Sequence, residues 1–477
     1  MRFLSKFLVK AYARRASIFA VVFFNWLLPS PGWSFDQGGF FGVTSHFIHN
    51  SRFYPELGPY WSVEKLTPIE HDLGVRTVHE GLYALTAPTR ALVSNGSTNP
   101  AVLHNVEVNR RQVSDWLNEY DRAGIKVIMA VLANAPGKGA DASNAEFSAW
   151  IADLVALHPC IFAIQLHNEP NLRSFWRGTP EDYVRTYRPI AETIRSRRPD
   201  IMIYGGAISS LWWAPGVAWL KQAVDAGLLD FVDGIAMHPY NVAKPPEIDP
   251  HWNGAATKDP DRRGPALRAF WAQISEWNRN HRPLKLVFTE YGYSTAQKPA
   301  HLIEESTQAD YVSRSSLIYL DARLSGVPIA SVYWYDLKDD GQVEDNMQHH
   351  FGLVSYDLTR RKPAFDAYRA IAEFFGNVDD FTSIKGVASV AASNVVLKTW
   401  RRKSDGAIIV AFWSTGAAAA GSNSMEINLG STGLTRAMLY VADRDSPTQV
   451  AIRHSENAAV AEVKISTRPQ WLLLRGN

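Results

Sequence analysis

From Phe40 to about Asp336 the chain alternates short apolar, β-prone runs with longer segments whose apolar residues recur at helical spacing. Eight runs read as strands: Phe40–Phe47, Val75–Tyr83, Val127–Ala133, Ile161–His167, Ile201–Ala207, Val232–His238, Leu286–Glu290 and Ile329–Tyr335. Several are apolar at nearly every position, as strands covered on both faces must be. Between them, Phe147, Trp150, Ile151, Leu154 and Val155 line one helical face, and Leu267, Phe270, Trp271, Ile274 and Trp277 another. Thr179-Pro180-Glu181-Asp182 predicts a helix start, with a capping hydroxyl, a first-turn proline and acids at the positive end of the dipole. Gly124 and Gly326 predict helix stops, and a last helix is expected over Ala364–Phe375. Eight strands joined by helices specify a (β/α)8 TIM barrel over residues 35–376.

After Gly376 the pattern changes to short strand-like runs: Val395–Trp400, Ala407–Trp413, Met425–Leu429, Ala437–Ala442, Val460–Ile465 and Trp471–Leu474. Turn formers separate them, so residues 377–477 are expected to form a small C-terminal antiparallel β-sandwich, an accessory domain without a ligand motif of its own. At the other end, Arg2, Lys6, Lys10, Arg14 and Arg15 precede an apolar run from Ala16 to Leu28, with small residues at Gly32 and Ser34. Thirteen residues, one of them Asn25, fall short of the ~20 that a membrane span needs, and the order fits an export signal over 1–34. The expected location is secreted or periplasmic; a retained segment would instead anchor the chain outside the cytoplasm.

Composition narrows the function classes. Lys+Arg 49 against Asp+Glu 47 gives a formal charge of +2, with no basic bias toward nucleic acid. Cys160, the single cysteine, excludes an intramolecular disulfide and a cysteine-built metal site, and reads as a small core residue.

Barrels of this kind place chemistry at the C-terminal strand ends. The fourth run ends in His167-Asn168-Glu169-Pro170 and the seventh in Thr289-Glu290-Tyr291-Gly292. Cleaving a glycosidic bond with retention requires one carboxyl to protonate the leaving oxygen and a second to attack the anomeric carbon from the other face. Strand ends three places apart face each other across the barrel mouth. Glu169 as acid/base needs a partly desolvated setting, and Glu290 as nucleophile needs donors. His46, His79, His167 and His238 also stand at strand ends, where hydrogen bonding to sugar hydroxyls is more economical than metal binding. No metal or other cofactor is implied. Phe175-Trp176, Trp212-Trp213 and Trp252 lie in loops after strands and are candidates for stacking on sugars.

These motifs resemble clan A of the glycoside hydrolases, most nearly family 39 and relatives acting on bacterial exopolysaccharides, with family 5 a near alternative. The resemblance implies that Asn168 bonds the substrate 2-hydroxyl and that Arg76, with His79 shortly after, supports the nucleophile. It also implies that His238 and Tyr240 stand beside the nucleophile, and that Trp334 forms the floor under the sugar. Phe351-Gly352-Leu353-Val354, Asp357 and Lys362-Pro363-Ala364-Phe365 resemble the segment that closes such barrels. The expected partner is a β-linked polysaccharide or oligosaccharide, and the expected activity its hydrolysis. A transglycosylase with the same carboxylates and a noncatalytic polysaccharide-binding or assembly protein are the alternatives.

Overall fold

The structure is a computed structural model; it describes residues 39–45, 62–83, 100–209, 214–247, 263–297, 302–416, 424–430, 433–444, 446–454 and 459–476. The export signal over 1–34, His46, Trp212, Trp213 and Trp252 lie outside these residues. Each of the eight apolar runs supplies a strand: β1 (Phe41–Thr44), β2 (Thr77–Tyr83), β3 (Lys126–Leu132), β4 (Ile161–Leu166), β5 (Met202–Ser209), β6 (Gly234–His238), β7 (Lys285–Tyr291) and β8 (Ile329–Trp334). They pair in sequence order as a closed parallel barrel, sealed where Val43 of β1 lies opposite Trp334 of β8. The helices are α1 (Val63–Asp72), α2 (Pro100–Ala123), α3 (Ala140–Leu157), α4 (Pro180–Arg197), α5 (Ala214–Asp225), α6 (Arg263–Trp277), α7 (Glu305–Leu324) and α8 (Pro363–Phe375). Among the described residues no helix is long and apolar enough to cross a membrane.

Both strand faces are buried. Ile128, Ala163, Tyr204, Ala207, Ala236, Val287 and Tyr333 fill the barrel interior, while the larger apolar layer lies between strands and helices. Gly124 and Gly326 adopt φ of +69° and +100° where α2 and α7 end, a conformation that costs a residue with a Cβ. Cys160 is a buried core residue, as expected.

Helix α4 links its own cap to the barrel mouth. Thr179 Oγ1 accepts from the Asp182 N–H at 3.1 Å, and the Asp182 carboxylate accepts from the Thr179 N–H at 2.9 Å. One turn further, Tyr183 donates to the Leu166 carbonyl at 2.7 Å, and Tyr187 accepts from Ala133 N–H and donates to the Val131 carbonyl. The helix thereby bonds backbone groups where β3 and β4 end. Beneath it, His167 is buried against Trp176 and Tyr187, and burial lowers its pKa to about 4.

After α8 come β9 (Phe381–Ser383), β10 (Val395–Arg402), β11 (Ile408–Ser414), β12 (Ser424–Asn428), β13 (Leu434–Val441), β14 (Thr448–Val450), β15 (Ile452–His454), β16 (Ala459–Lys464) and β17 (Gln470–Gly476). They form a six-stranded sheet, β14-β13-β17-β11-β10-β9, facing a three-stranded sheet, β12-β16-β15. Val410, Phe412, Ile427, Ala461 and Leu472 pack between them, giving the expected antiparallel sandwich. The other face of the larger sheet presents Trp400 and Trp471 to Phe374 and Phe375 of α8. Three short strands, β9, β14 and β15, were not expected; three residues are too few to show a period.

Thr179→Ala is expected to lower the free energy of urea unfolding by about 1 kcal/mol, through loss of the cap. His167 gives a pH dependence. Its folded pKa of about 4 lies below the ordinary 6.5, so the unfolded chain takes up a proton that the folded chain refuses. Stability is full above 6.5 and is lost as pH falls from 6.5 to about 4, by up to about 3 kcal/mol. Asparagine tolerates the φ of +68° at this position and does not titrate, so unfolding of His167→Asn should vary less with pH across that window. Equal variation in parent and variant contradicts the assignment.

Candidate active site

Strand β4 ends in a corner that turns Glu169 into the barrel mouth. His167 and Glu169 adopt positive φ, +68° and +41°. Three bonds hold the turn: Gln165 Nε2 to the His167 carbonyl at 2.8 Å, the His167 N–H to Val131 at 3.0 Å, and the Glu169 N–H to Ala207 at 3.0 Å. Asn171 Oδ1 accepts from the Ser209 N–H at 3.0 Å, joining the same corner to the end of β5. Opposite, the pairing of β7 with β8 shifts register between Phe288 and Tyr291. That break lets Thr289 and Glu290, consecutive residues, both reach inward. Gly292 follows where a Cβ would stand 2.0 Å from the Tyr335 carbonyl, so only glycine lets the β7 and β8 ends approach this closely.

Glu169 and Glu290 are 9% and 6% exposed. Between them stands His238, at the end of β6 and fully buried. Its Nδ1 lies 3.0 Å from Glu169 Oε1 and 3.4 Å from Glu290 Oε2, and its Nε2 lies 3.1 Å from Thr289 Oγ1. With Nδ1 as donor to the carboxylates and Nε2 accepting from the Thr289 hydroxyl, the neutral ring serves these three contacts. Tyr240 donates its hydroxyl to Glu290 Oε2 at 2.9 Å. Burial and the nearby Glu290 hold the Tyr240 pKa well above its usual 10, so the phenol keeps its proton and remains a donor. His79 lies with Nδ1 4.0 Å from Glu290 Oε1.

A cavity of about 530 Å³ opens over this pair. Asn168, Glu169, His79, Tyr240, Glu290 and Tyr335 line it, with Phe175, Val242, Met347 and Phe351 also on its walls. The volume lies within the range of small-molecule sites. Glu169, His238 and Glu290 also offer one ligand atom each within 4.8 Å of one another, the one grouping among the described residues able to hold a metal ion. The same atoms also meet through the imidazole, with His238 Nδ1 within 3.4 Å of an oxygen of each glutamate.

Of the expected site residues, the structure brings together Glu169, Glu290, Asn168, His79, His238 and Tyr240. Three depart. Arg76 precedes β2, is exposed at the N-terminal end of the barrel and turns Nη1 to the Val75 carbonyl; His79 is the β2 side chain that approaches Glu290. Trp334 points outward between strand and helix, packed on Tyr291 and Tyr293 with ring centroids 5.4 and 6.2 Å away. Tyr333 fills the barrel interior, so by alternation Tyr335 is the β8 aromatic at the cavity. Trp176 is 2% exposed and packed on His167, Tyr183 and Tyr187, while its neighbour Phe175 is 41% exposed and lines the cavity. His167, packed beneath α4, does not line the cavity.

Sequence reading missed Ser209, Ser294, Met347 and Gln348, which also line the cavity. The last two sit in the loop after β8. That loop is shaped by Lys362, whose Nζ meets Asp339 Oδ1 at 2.6 Å and the His350 carbonyl at 3.3 Å, and by Ser294, which donates to the Met347 carbonyl at 2.8 Å. Lys362 belongs to the closing segment singled out in the sequence; nothing local marks Met347 or Gln348.

No family model and no curated protein matches the chain. Solved structures do. A family 39 glycoside hydrolase from the gut symbiont Bacteroides cellulosilyticus WH2 superposes with a TM-score of 0.65 at 21% identity, over 93% of this chain and 83% of that one. A glucosidase from Croceicoccus marinus gives 0.58 at 12% identity, over 93% and 96%. A family 51 alpha-L-arabinofuranosidase from Bifidobacterium longum gives 0.56 at 11%, over 92% and 97%. At these identities the likeness is one of fold, and it spans both the barrel and the sheets that follow it.

Proposed function

We propose that the chain is a retaining glycoside hydrolase that cleaves β-glycosidic bonds of a polysaccharide or oligosaccharide, with Glu290 as nucleophile and Glu169 as acid/base. The observation that carries this reading is the pair itself: two buried carboxylates from β4 and β7, bridged by His238, with an oxygen of each within 4.8 Å of the other. Retaining enzymes hold their carboxyl groups about 5–5.5 Å apart, whereas inverting ones leave about 6.5–9.5 Å for a water. The fold likeness to glycosidases points the same way, by analogy.

Roles follow from the donors. Tyr240 and His238 give Glu290 the partners of an ionised carboxylate. In the first step a Glu290 oxygen bonds the anomeric carbon as the glycosidic C–O bond breaks, and the proton of Glu169 passes to the leaving oxygen. In the second, Glu169 takes a proton from water, whose oxygen displaces Glu290. Asn168, half-buried beside Glu169, lines the cavity, and we assign it the bond to the substrate 2-hydroxyl that the resemblance implies. The basic and apolar order of residues 1–34 supports export, and a bacterial exopolysaccharide is the substrate class we favour.

Reducing-sugar release from a panel of β-glucans, mannans, xylans, arabinans and bacterial exopolysaccharides tests the proposal. Activity on one polymer should fall by about 10³-fold or more in Glu169→Gln and Glu290→Gln. Activity surviving either change would refute the assignment, and longer products with added acceptor would mark a transglycosylase. Prolonged treatment with a chelator should leave the rate unchanged; loss restored by a divalent cation would show that Glu169, His238 and Glu290 act as metal ligands instead.

A further inference from the structure

The segment after β6 carries Tyr240 to the site and then runs to Glu247 without regular structure. Asn241 closes a turn at its start, donating through Nδ2 to the Pro245 carbonyl at 2.8 Å and the Lys244 carbonyl at 3.3 Å. At Glu247 the segment is held from the sandwich. Trp413 of β11 donates its indole N–H to Glu247 Oε1 at 2.6 Å, and Arg314 of α7 places Nη1 3.7 Å from Oε2. Both charged side chains are 3% exposed. Arg314 also crosses to the sandwich, donating to the carbonyls of Thr467 at 2.8 Å and Ser414 at 2.9 Å.

A buried ion pair of this kind contributes little net stability over an apolar replacement, because desolvation offsets attraction. What it supplies is direction. Burying Glu247 fixes the course of the chain at that point, and the Asn241 turn transmits that position to Tyr240, whose hydroxyl must stay within hydrogen-bond reach of Glu290. A misplacement of about 1 Å at such a group costs up to about 10²-fold in rate. We infer that the C-terminal sandwich is a positioning element of the active site: Trp413, acting through Glu247, sets the place of Tyr240. The catalytic half of this inference rests on the function proposed above.

The same contacts explain α7. From Gln308 to Ala322 nearly every side chain is buried, because the helix is enclosed by barrel on one side and sandwich on the other. Asp321 accepts from Trp400 Nε1 at 3.2 Å and from Lys398 at 2.9 Å, Asp310 accepts from Arg468, and Gln308 donates to the carbonyls of Tyr293 and of Phe351, which lines the cavity. The sandwich is thus tied to the helix that backs the site as well as to the loop that carries Tyr240.

Amide hydrogen exchange on the full chain tests the structural half without an assay of activity. In folded Trp413→Phe, exchange across residues 238–247 should rise by about 10-fold or more while β7 stays protected. With the polymer or an aryl glycoside that the parent hydrolyses, kcat should fall by about 10-fold with KM changed by less than about twofold. Combining Trp413→Phe with Tyr240→Phe should add no further loss, since one acts through the other. Glu247→Gln keeps an acceptor for the indole and should retain most of the rate. If Trp413→Phe does not fold, Glu247→Met carries the same measurements. Unchanged exchange at 238–247 in a folded variant overturns the inference, as do losses that multiply; a parent inactive on every glycoside would refute the proposed function and leave the exchange result to decide on the loop.

Discussion

Two largely buried carboxylates held within 4.8 Å repel one another, by about 3 kcal/mol at an effective dielectric of 20 when both are charged. The barrel mouth is organised around meeting that repulsion. His238 lies between the two groups and is itself oriented by Thr289; Tyr240 adds a hydroxyl that burial and Glu290 together keep protonated. Removing either donor would leave a buried charge short of partners, a far larger penalty than the loss of an exposed hydrogen bond.

Holding four side chains to this geometry requires their strands to end at defined places. Tyr183 and Tyr187 of α4 bond the last backbone groups of β3 and β4, the Ala207 carbonyl of β5 accepts from Glu169, and Gly292 lets β7 approach β8. Behind these, α7 and the Glu247 anchor bring the sandwich into contact with the same wall. Local features visible in sequence, a capped helix start and a glycine after a glutamate, therefore have their effect at the site rather than where they occur.

The eight strands were legible because parallel strands covered on both faces read as unbroken apolar runs, and the two glutamates because they close two of those runs. The same property hid the phase of the strands. In Ile329–Trp334 both faces are buried, so no alternation shows which aromatic looks inward; Tyr335 takes the place expected of Trp334 for that reason. Arg76 was misplaced by a related ambiguity: apolar Val75 extends the run, but the ladder begins at Thr77, leaving the arginine at the wrong end of the barrel. Trp176 could not be separated from Phe175 without knowing that α4 presents tyrosines to one of them. Met347 and Gln348 reach the cavity only through contacts distant in sequence, which no local pattern records.

The configuration of the first-formed product tests the central assignment most directly. Proton NMR of the anomeric signals, recorded during hydrolysis of a β-glycoside before mutarotation, should show the β-anomer appearing first, as a double displacement through Glu290 requires. Initial release of the α-anomer would mean single displacement by water, and would contradict the nucleophilic role of Glu290 and the reading of its short separation from Glu169.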